Sequence, residues 1–133
     1  MSIRRDERSK AEFRAMREGV GLSQADLAHN LGVNRSSVKR WERPDVNGYA
    51  PPDEAWQLLD TLVARQDAAV RAEIEKPTGL VTLPHYRSQE QFETEGHAGS
   101  YGVANATAWA LAGTLRRRGV EVRFVEPGTE RQR

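Results

Sequence analysis

The feature that most constrains this fold is a glycine between two short helical patterns near the start of the chain. Gly32 ends the run LSQADLAHNLG, whose apolar residues recur at helical spacing. Ser23 stands before that helix as an N-cap, and Asp26 follows three residues later, as in a capping box. Because glycine tolerates positive φ, Gly32 can turn the chain sharply into a next helix. Asn34 would cap that helix, which we expect to extend through Glu42.

Similar signals divide the rest of the chain into helices, a loop and two strands. Residues 10–18 predict one more short helix, and RPDVNGYAPP at 43–52 is too rich in Pro, Gly and Asn to be helical. A long helix is expected over about 53–76. LVTLPHY and VEVRFVE read as strands, and the Ala-rich run between them predicts a helix that Gly119 ends. The predicted fold is mainly α with a small α+β tail: an N-terminal helix-turn-helix domain and a C-terminal strand-helix-strand region.

These elements define four expected segments of the 133-residue chain. Residues 1–9 would form a flexible basic arm, and residues 10–76 a helical domain that ends in the long helix. Residues 77–126 would form a C-terminal dimerisation domain, and residues 127–133 a disordered tail. A chain of this length can bury one modest core, or a small core with an appendage, but not two large domains.

Composition excludes several classes of protein. The chain has no Cys, which removes disulfides and thiolate chemistry, and no apolar stretch approaches the length of a membrane span. The charged start MSIRRDERSK does not resemble a signal peptide, so we expect a cytoplasmic protein. The formal net charge is only +1, but residues 1–50 carry 10 Lys and Arg against 7 Asp and Glu. The basic excess therefore lies at the N-terminal end.

Candidate catalytic and metal-binding groups are sparse. The histidines His29, His85 and His97 are not spaced three or four residues apart, so no helical metal site is predicted. The adjacent carboxylates Asp53 and Glu54 suit the N-terminal dipole of the long helix better than acid–base chemistry. With no nucleophile beside a base and no phosphate-binding loop, the sequence predicts no enzyme, no cofactor and no metal.

The predicted helix after Gly32 has two unlike faces. At about 100° per residue, its cationic and hydroxyl side chains fall within an arc of about 140°. They are Arg35, Ser36, Lys39, Arg40 and Arg43. Val38 and Trp41 lie opposite, enough to pin a short helix and leave its basic face exposed. Such a face is often merely solvated, but it also fits the major groove of DNA, where Arg binds guanine and Lys suits phosphates.

The spacing of the surrounding residues resembles one family of DNA-binding proteins. Five of them match the positions that define the helix-turn-helix of the Cro and phage-repressor (Xre-like) family: Gln24, Ala28, Gly32, Val38 and Trp41. The run SQADLAHNLGVNRSSVKRWE carries the likeness, which covers about residues 12–60. The resemblance implies that bases are read from the start and middle of the second helix, by Arg35, Ser36 and Arg40. The predicted contacts to the DNA backbone are Gln24, Asn34, Ser37, Lys39 and Arg43.

Two segments beside the helix pair have alternative interpretations. The loop at 43–52 is longer than the family usually has, and it is either a small wing on the DNA backbone or, as its turn residues favour, only a connection. The basic arm either reaches into a minor groove or, because Asp6 and Glu7 dilute its charge, stays disordered without DNA. The cations of the arm are Arg4, Arg5, Arg8 and Lys10.

A single short helix-turn-helix makes too few contacts to select a genomic site. A dimer on half-sites about 10 to 10.5 base pairs apart, or a multiple of that, is therefore expected. One candidate interface is the long helix, although its first half could equally close the core of the helical domain. Its apolar stripe is Trp56, Leu59, Val63 and Val70. The preferred interface is the tail, whose strands have free edges and whose helix has small residues that permit close approach. The tail-helix residues on that side include Ala104, Ala108 and Leu111.

A weaker resemblance over most of the chain also favours the tail. EFRAMR, the order of the elements and SYGVANATAWALA look like YdiL-type proteins and the anti-CRISPR-associated repressors of phages. In such proteins the tail forms the dimer, and the repressor acts on the promoter of its own operon. Carried over to this chain, the resemblance adds Tyr101, Val103, Asn105 and Trp109 to the dimer region.

The sequence thus predicts a transcriptional repressor that binds double-stranded operator DNA as a homodimer. Its operator would be an inverted repeat, and it would autoregulate a phage or mobile-element operon. The alternative is an antitoxin-like protein whose tail binds a partner protein while its head binds DNA. Binding of RNA by the same basic face is a further alternative.

Overall fold

The computed structural model describes residues 8–76 and 79–128. This part of the chain contains the helices α1 (Lys10–Gly19), α2 (Gln24–Leu31), α3 (Arg35–Glu42), α4 (Asp53–Ile74), α5 (Gln89–Thr94) and α6 (Tyr101–Arg117), and the strands β1 (Leu80–Pro84) and β2 (Glu121–Val125). The predicted fold, mainly helical with a small sheet in the tail, is confirmed. Helix α5 is an addition that the sequence patterns do not predict.

Parts of the expected arm and tail lie outside the described residues. Arg4 and Arg5 are outside them, as are residues 129–133 of the expected disordered tail. Arg8 is described, and it is held on α4: its guanidinium donates to both carboxylate oxygens of Asp60 at 3.0 and 3.3 Å. The same group lies over the Trp56 ring, 4.0 Å from the ring centroid. Arg8 is therefore fixed against the helices, which corrects its assignment to a flexible arm.

The chain divides into two compact units between Ala64 and Arg65, inside α4, whereas the predicted domain boundary lies at the end of this helix. In the first unit, α1, α2, α3 and the first part of α4 share one apolar core. The fully buried side chains of that core include Phe13, Leu27, Val38, Trp56 and Leu59. Phe13 meets Trp56 and Trp41 edge-on, with ring centroids 5.0 and 6.1 Å apart. Of the two alternatives for the first half of the long helix, closure of this core by Trp56 and Leu59 is the one that their burial supports.

The second unit has a smaller core built on α6. The buried members of this core are Leu111, Ala112, Leu115 and Val122. Val70 and Ile74, from the last part of α4, pack against the same cluster. The second half of the long helix therefore covers the tail core, and does so because its apolar residues continue the helical stripe past Ala64.

The two strands form a parallel pair. Leu80 is opposite Glu121 and Pro84 is opposite Val125. Parallel strands need a long crossover, which α5 and α6 supply. Alternation along β1 turns Val81 toward the tail core and leaves Leu80 48% exposed.

Candidate nucleic-acid interface

The turn after α2 sets the direction of α3. Gly32 has φ +68° and ψ +33°, in the left-handed region, and its N–H donates to the carbonyls of Ala28 and His29. Asn34 takes the extended N-cap conformation immediately before Arg35, as predicted, but its side chain makes no capping hydrogen bond. The geometry of the turn therefore depends on the glycine more than on the asparagine amide.

The two faces of α3 are those that the sequence predicts. Val38 is fully buried and Trp41 is 8% exposed, so both hold the helix on the core. The opposite face is open to solvent, and its exposed residues are Asn34, Arg35, Ser36, Lys39, Arg40 and Arg43. Ser37 is half-buried. The first turn of α3 carries no acidic residue, so the cations on this side can meet an anionic surface without a competing carboxylate from that turn.

A buried ion pair joins the end of α3 to α1. The Nε and Nη2 atoms of Arg17 donate to the two carboxylate oxygens of Glu42 at 2.6 and 3.0 Å, and Nη1 donates to the carbonyl of Leu22 at 2.8 Å. The side chains of Arg17 and Glu42 are 9% and 3% exposed. Such a bidentate pair fixes orientation as well as distance. It removes the only carboxylate of α3 from the exposed face.

Gln24 takes part in this network rather than facing outward alone. Its Nε2 donates to Glu42 Oε1 at 3.0 Å, and the residue is half-buried at the start of α2. A phosphate at this position could accept the second amide hydrogen of Gln24 and the backbone N–H groups at the start of α2. Its role as a backbone contact stays a prediction.

Lys10 also holds the C-terminal end of α3. Its ammonium donates to the carbonyl oxygens of Arg40 at 2.8 Å, Arg43 at 3.2 Å and Val46 at 2.9 Å. A cation at a helix C-terminus satisfies carbonyls that lack intrahelical partners and interacts favourably with the helix dipole. Lys10 was expected in the basic arm, and it instead ties α1 to the loop that follows α3.

That loop carries an exposed ion pair. Arg43 donates from Nη2 and Nε to the carboxylate of Asp45 at 2.7 and 3.2 Å. These hydrogen bonds lower the pKa of Asp45 and raise the pKa of Arg43. A phosphate would have to compete with Asp45 for Arg43, whose role as a backbone contact stays a prediction.

The residues predicted for the dimer interface differ in how accessible they are. Ala108 and Leu111 are 8% and 5% exposed, so little of either side chain can contact a second chain. The side-chain amide of Asn105 is occupied by the backbone of Tyr86: Nδ2 donates to the Tyr86 carbonyl at 2.8 Å, and Oδ1 accepts the Tyr86 N–H at 2.9 Å. Trp109 is 67% exposed. The half-buried members of the set are Tyr101, Val103, Ala104 and Asn105. Trp109 is therefore the side chain of this set that offers most apolar surface.

Among the described residues, no cluster of three or more His, Asp or Glu side chains could hold a metal ion. None of the described helices is long and apolar enough to cross a membrane. His97 packs in an aromatic cluster of the tail, stacked on Phe92 at 4.9 Å with its Nε2 3.0 Å from the Tyr86 hydroxyl.

An exposed basic helix, tied to α1 at its C-terminal end and preceded by a glycine turn, is the arrangement found in helix-turn-helix DNA-binding domains. Residues 13–45 match a family model described as helix-turn-helix. This segment is similar to the Cro/Xre-like helix-turn-helix family, and the match supports a DNA-binding regulator of that type. This family is a class of regulatory domain rather than of enzyme. A comparison with curated proteins gave no match.

Proposed function

We propose that the protein is a transcriptional repressor that binds an inverted-repeat operator as a homodimer and autoregulates its own operon. One observation carries the proposal: the cations of α3 are exposed on one face, while Val38 and Trp41 bury the other. Arg35, Ser36 and Arg40 are assigned to base edges in the major groove, where Arg can bond guanine O6 and N7 together. Lys39 and Arg43 are assigned to phosphates.

Dimerisation through the tail supplies the second half-site. Trp109 is the most exposed large apolar side chain of the described residues, and it stacks on Phe124 with ring centroids 5.9 Å apart. Exposed aromatic pairs of this kind are typical anchors of protein interfaces. The cytoplasm is the compartment such a function requires, and the phage or mobile-element context rests on the weaker resemblance in the tail.

The DNA-reading assignment is tested by selection from a random pool of duplex DNA. The wild-type protein should enrich one sequence, and fluorescence anisotropy then measures binding of the variants to that duplex. Arg35→Ala and Arg40→Ala should each weaken binding by about 1 to 3 kcal/mol and relax the preference at one base pair. Arg123→Ala, which removes an exposed arginine from the tail, is the matched control and should leave that preference unchanged. Wild-type preference retained in both α3 variants would refute the assignment.

The dimer is tested by light scattering of the wild-type chain and of Trp109→Ser. The chain mass is 14.9 kDa, so a homodimer has about twice that mass. The serine variant should shift toward the monomer, whereas Val33→Ser, which removes an exposed apolar side chain from the first unit, should not. A wild-type monomer that still binds the selected duplex with full affinity would contradict the proposal. Stoichiometric co-purification with a neighbouring gene product would instead support the antitoxin-like alternative.

A further inference from the structure

The loop between α3 and α4 contains a residue in an unusual backbone conformation. Tyr49 has φ +51° and follows Gly48, which has φ +76°. Residues with a Cβ rarely occupy this left-handed region, and they persist there only where the surrounding structure holds them. The Tyr49 side chain is 61% exposed, so few buried contacts hold the residue in this conformation. Burial in the core therefore does not account for the position of this ring.

Both ends of this loop are anchored. Lys10 binds the carbonyls of Arg43 and Val46, and Pro51 is buried just before α4 begins. Only a few residues separate these two fixed points. Tyr49 is therefore presented by a short constrained segment rather than by a free loop.

The tyrosine ring lies beside a predicted base-reading residue. The guanidinium carbon of Arg40 is over the Tyr49 ring, 5.0 Å from its centroid, within the range of cation–π interactions. The guanidinium donors point outward in the plane of the group. An aromatic ring over its face therefore leaves those N–H groups available for a bidentate contact to guanine.

We propose that Tyr49 is a positioning residue that holds the Arg40 guanidinium ready for DNA. The loop at 43–52 is then more than a connection between α3 and α4, because it carries the ring that positions Arg40. Holding Arg40 before DNA arrives lowers the ordering cost of binding, because fewer rotamers are lost on association. This inference rests on the proposed function in one respect, the assignment of Arg40 to a base edge.

The experiment is a double-mutant cycle on the duplex that the wild-type protein selects from a random pool. Tyr49→Leu should weaken binding roughly 2- to 5-fold, the effect of one exposed cation–π contact. It should lower discrimination at the base pair that Arg40→Ala identifies by a similar factor. Tyr49→Phe, which keeps the ring, should match the wild type. In the Arg40→Ala background, Tyr49→Leu should have no further effect.

A glycine variant separates this role from a structural one. Tyr49→Gly removes the ring but accepts the left-handed backbone, so it should bind like Tyr49→Leu while its urea midpoint stays at or above that of the wild type. Wild-type discrimination in Tyr49→Leu or Tyr49→Gly would overturn the inference. A loss that persists in the Arg40→Ala background would also overturn it, since Tyr49 would then contact DNA itself. If the wild-type protein selects no sequence at all, the proposed function fails and this inference fails with it.

Discussion

Removing the carboxylate of Glu42 should strongly destabilise the first unit. Arg17 makes two hydrogen bonds to Glu42 and one to the carbonyl of Leu22, and both charged side chains are almost inaccessible to water. Glu42→Ala leaves the buried guanidinium with only the exposed carboxylate of Glu18, 3.8 Å away, so the change should cost up to about 3 to 5 kcal/mol. A domain of this size is typically stable by about 5 to 15 kcal/mol. The variant should therefore lose a large part of its stability. It should also lose the contact that aligns α3 with α1.

Urea unfolding followed by tryptophan fluorescence measures this loss. Trp41 and Trp56 lie in the core of the first unit and Trp109 is exposed in the tail, so a Trp109→Phe background isolates the relevant signal. Replacing both partners, in Arg17→Met with Glu42→Leu, should recover part of the lost stability, because no unpaired charge remains, while the Leu22 carbonyl and the Gln24 amide lose their partners.

The matched control is another ion pair of α1. Arg14 pairs with Glu18 at 3.0 Å, but its side chain is 61% exposed. Arg14→Ala should therefore cost at most about 0.5 kcal/mol. If the free energy of unfolding of Glu42→Ala equals that of this control, the argument from burial is refuted.

Three further changes test separate parts of the interface. Lys39→Ala should weaken binding to all duplexes about equally and reduce the slope of log affinity against log salt by about one, whereas a change confined to one base pair would make Lys39 a reader of sequence. Gly32→Ala should lower the free energy of unfolding by about 1 to 2 kcal/mol, because alanine is strained at a φ of +68°. A Cβ there would meet nothing within 4 Å, so no steric clash adds to this loss. An unchanged urea midpoint would contradict the prediction. Asp45→Asn frees Arg43 from its ion pair and should tighten binding several-fold at low salt in an anisotropy titration, an effect that high salt should abolish; unchanged affinity would mean that Arg43 does not approach DNA.

The sequence predicts the helix-turn-helix well because its signals are local. Ser23 does cap α2, accepting the N–H of Asp26, and Gly32 does take the left-handed turn. The burial of Val38 and Trp41 follows from helical periodicity over four residues. Each of these features is decided within one or two helical turns, so a single sequence is enough to find it.

The supporting network escapes prediction because its members are distant along the chain. Arg17 and Glu42 are 25 residues apart, and Lys10 and Val46 are 36 apart. Each residue alone looks like an ordinary solvated charge. The parallel pairing of β1 with β2 is likewise a long-range choice, since alternation identifies a strand but not its partner. Tyr49 carries the one local signal of this group, because it is an aromatic residue directly after Asn47-Gly48 in a segment otherwise composed of turn-forming residues.

The most direct test of the account is a titration of ¹⁵N-labelled protein with the selected duplex, followed by NMR. If the exposed face of α3 enters the major groove, the largest changes should fall on the amides and arginine side chains of 34–43, with Arg35 and Arg40 foremost. If the protein binds the selected duplex but the signals of residues 34–43 do not change, while signals elsewhere do, α3 is not the helix that enters the groove.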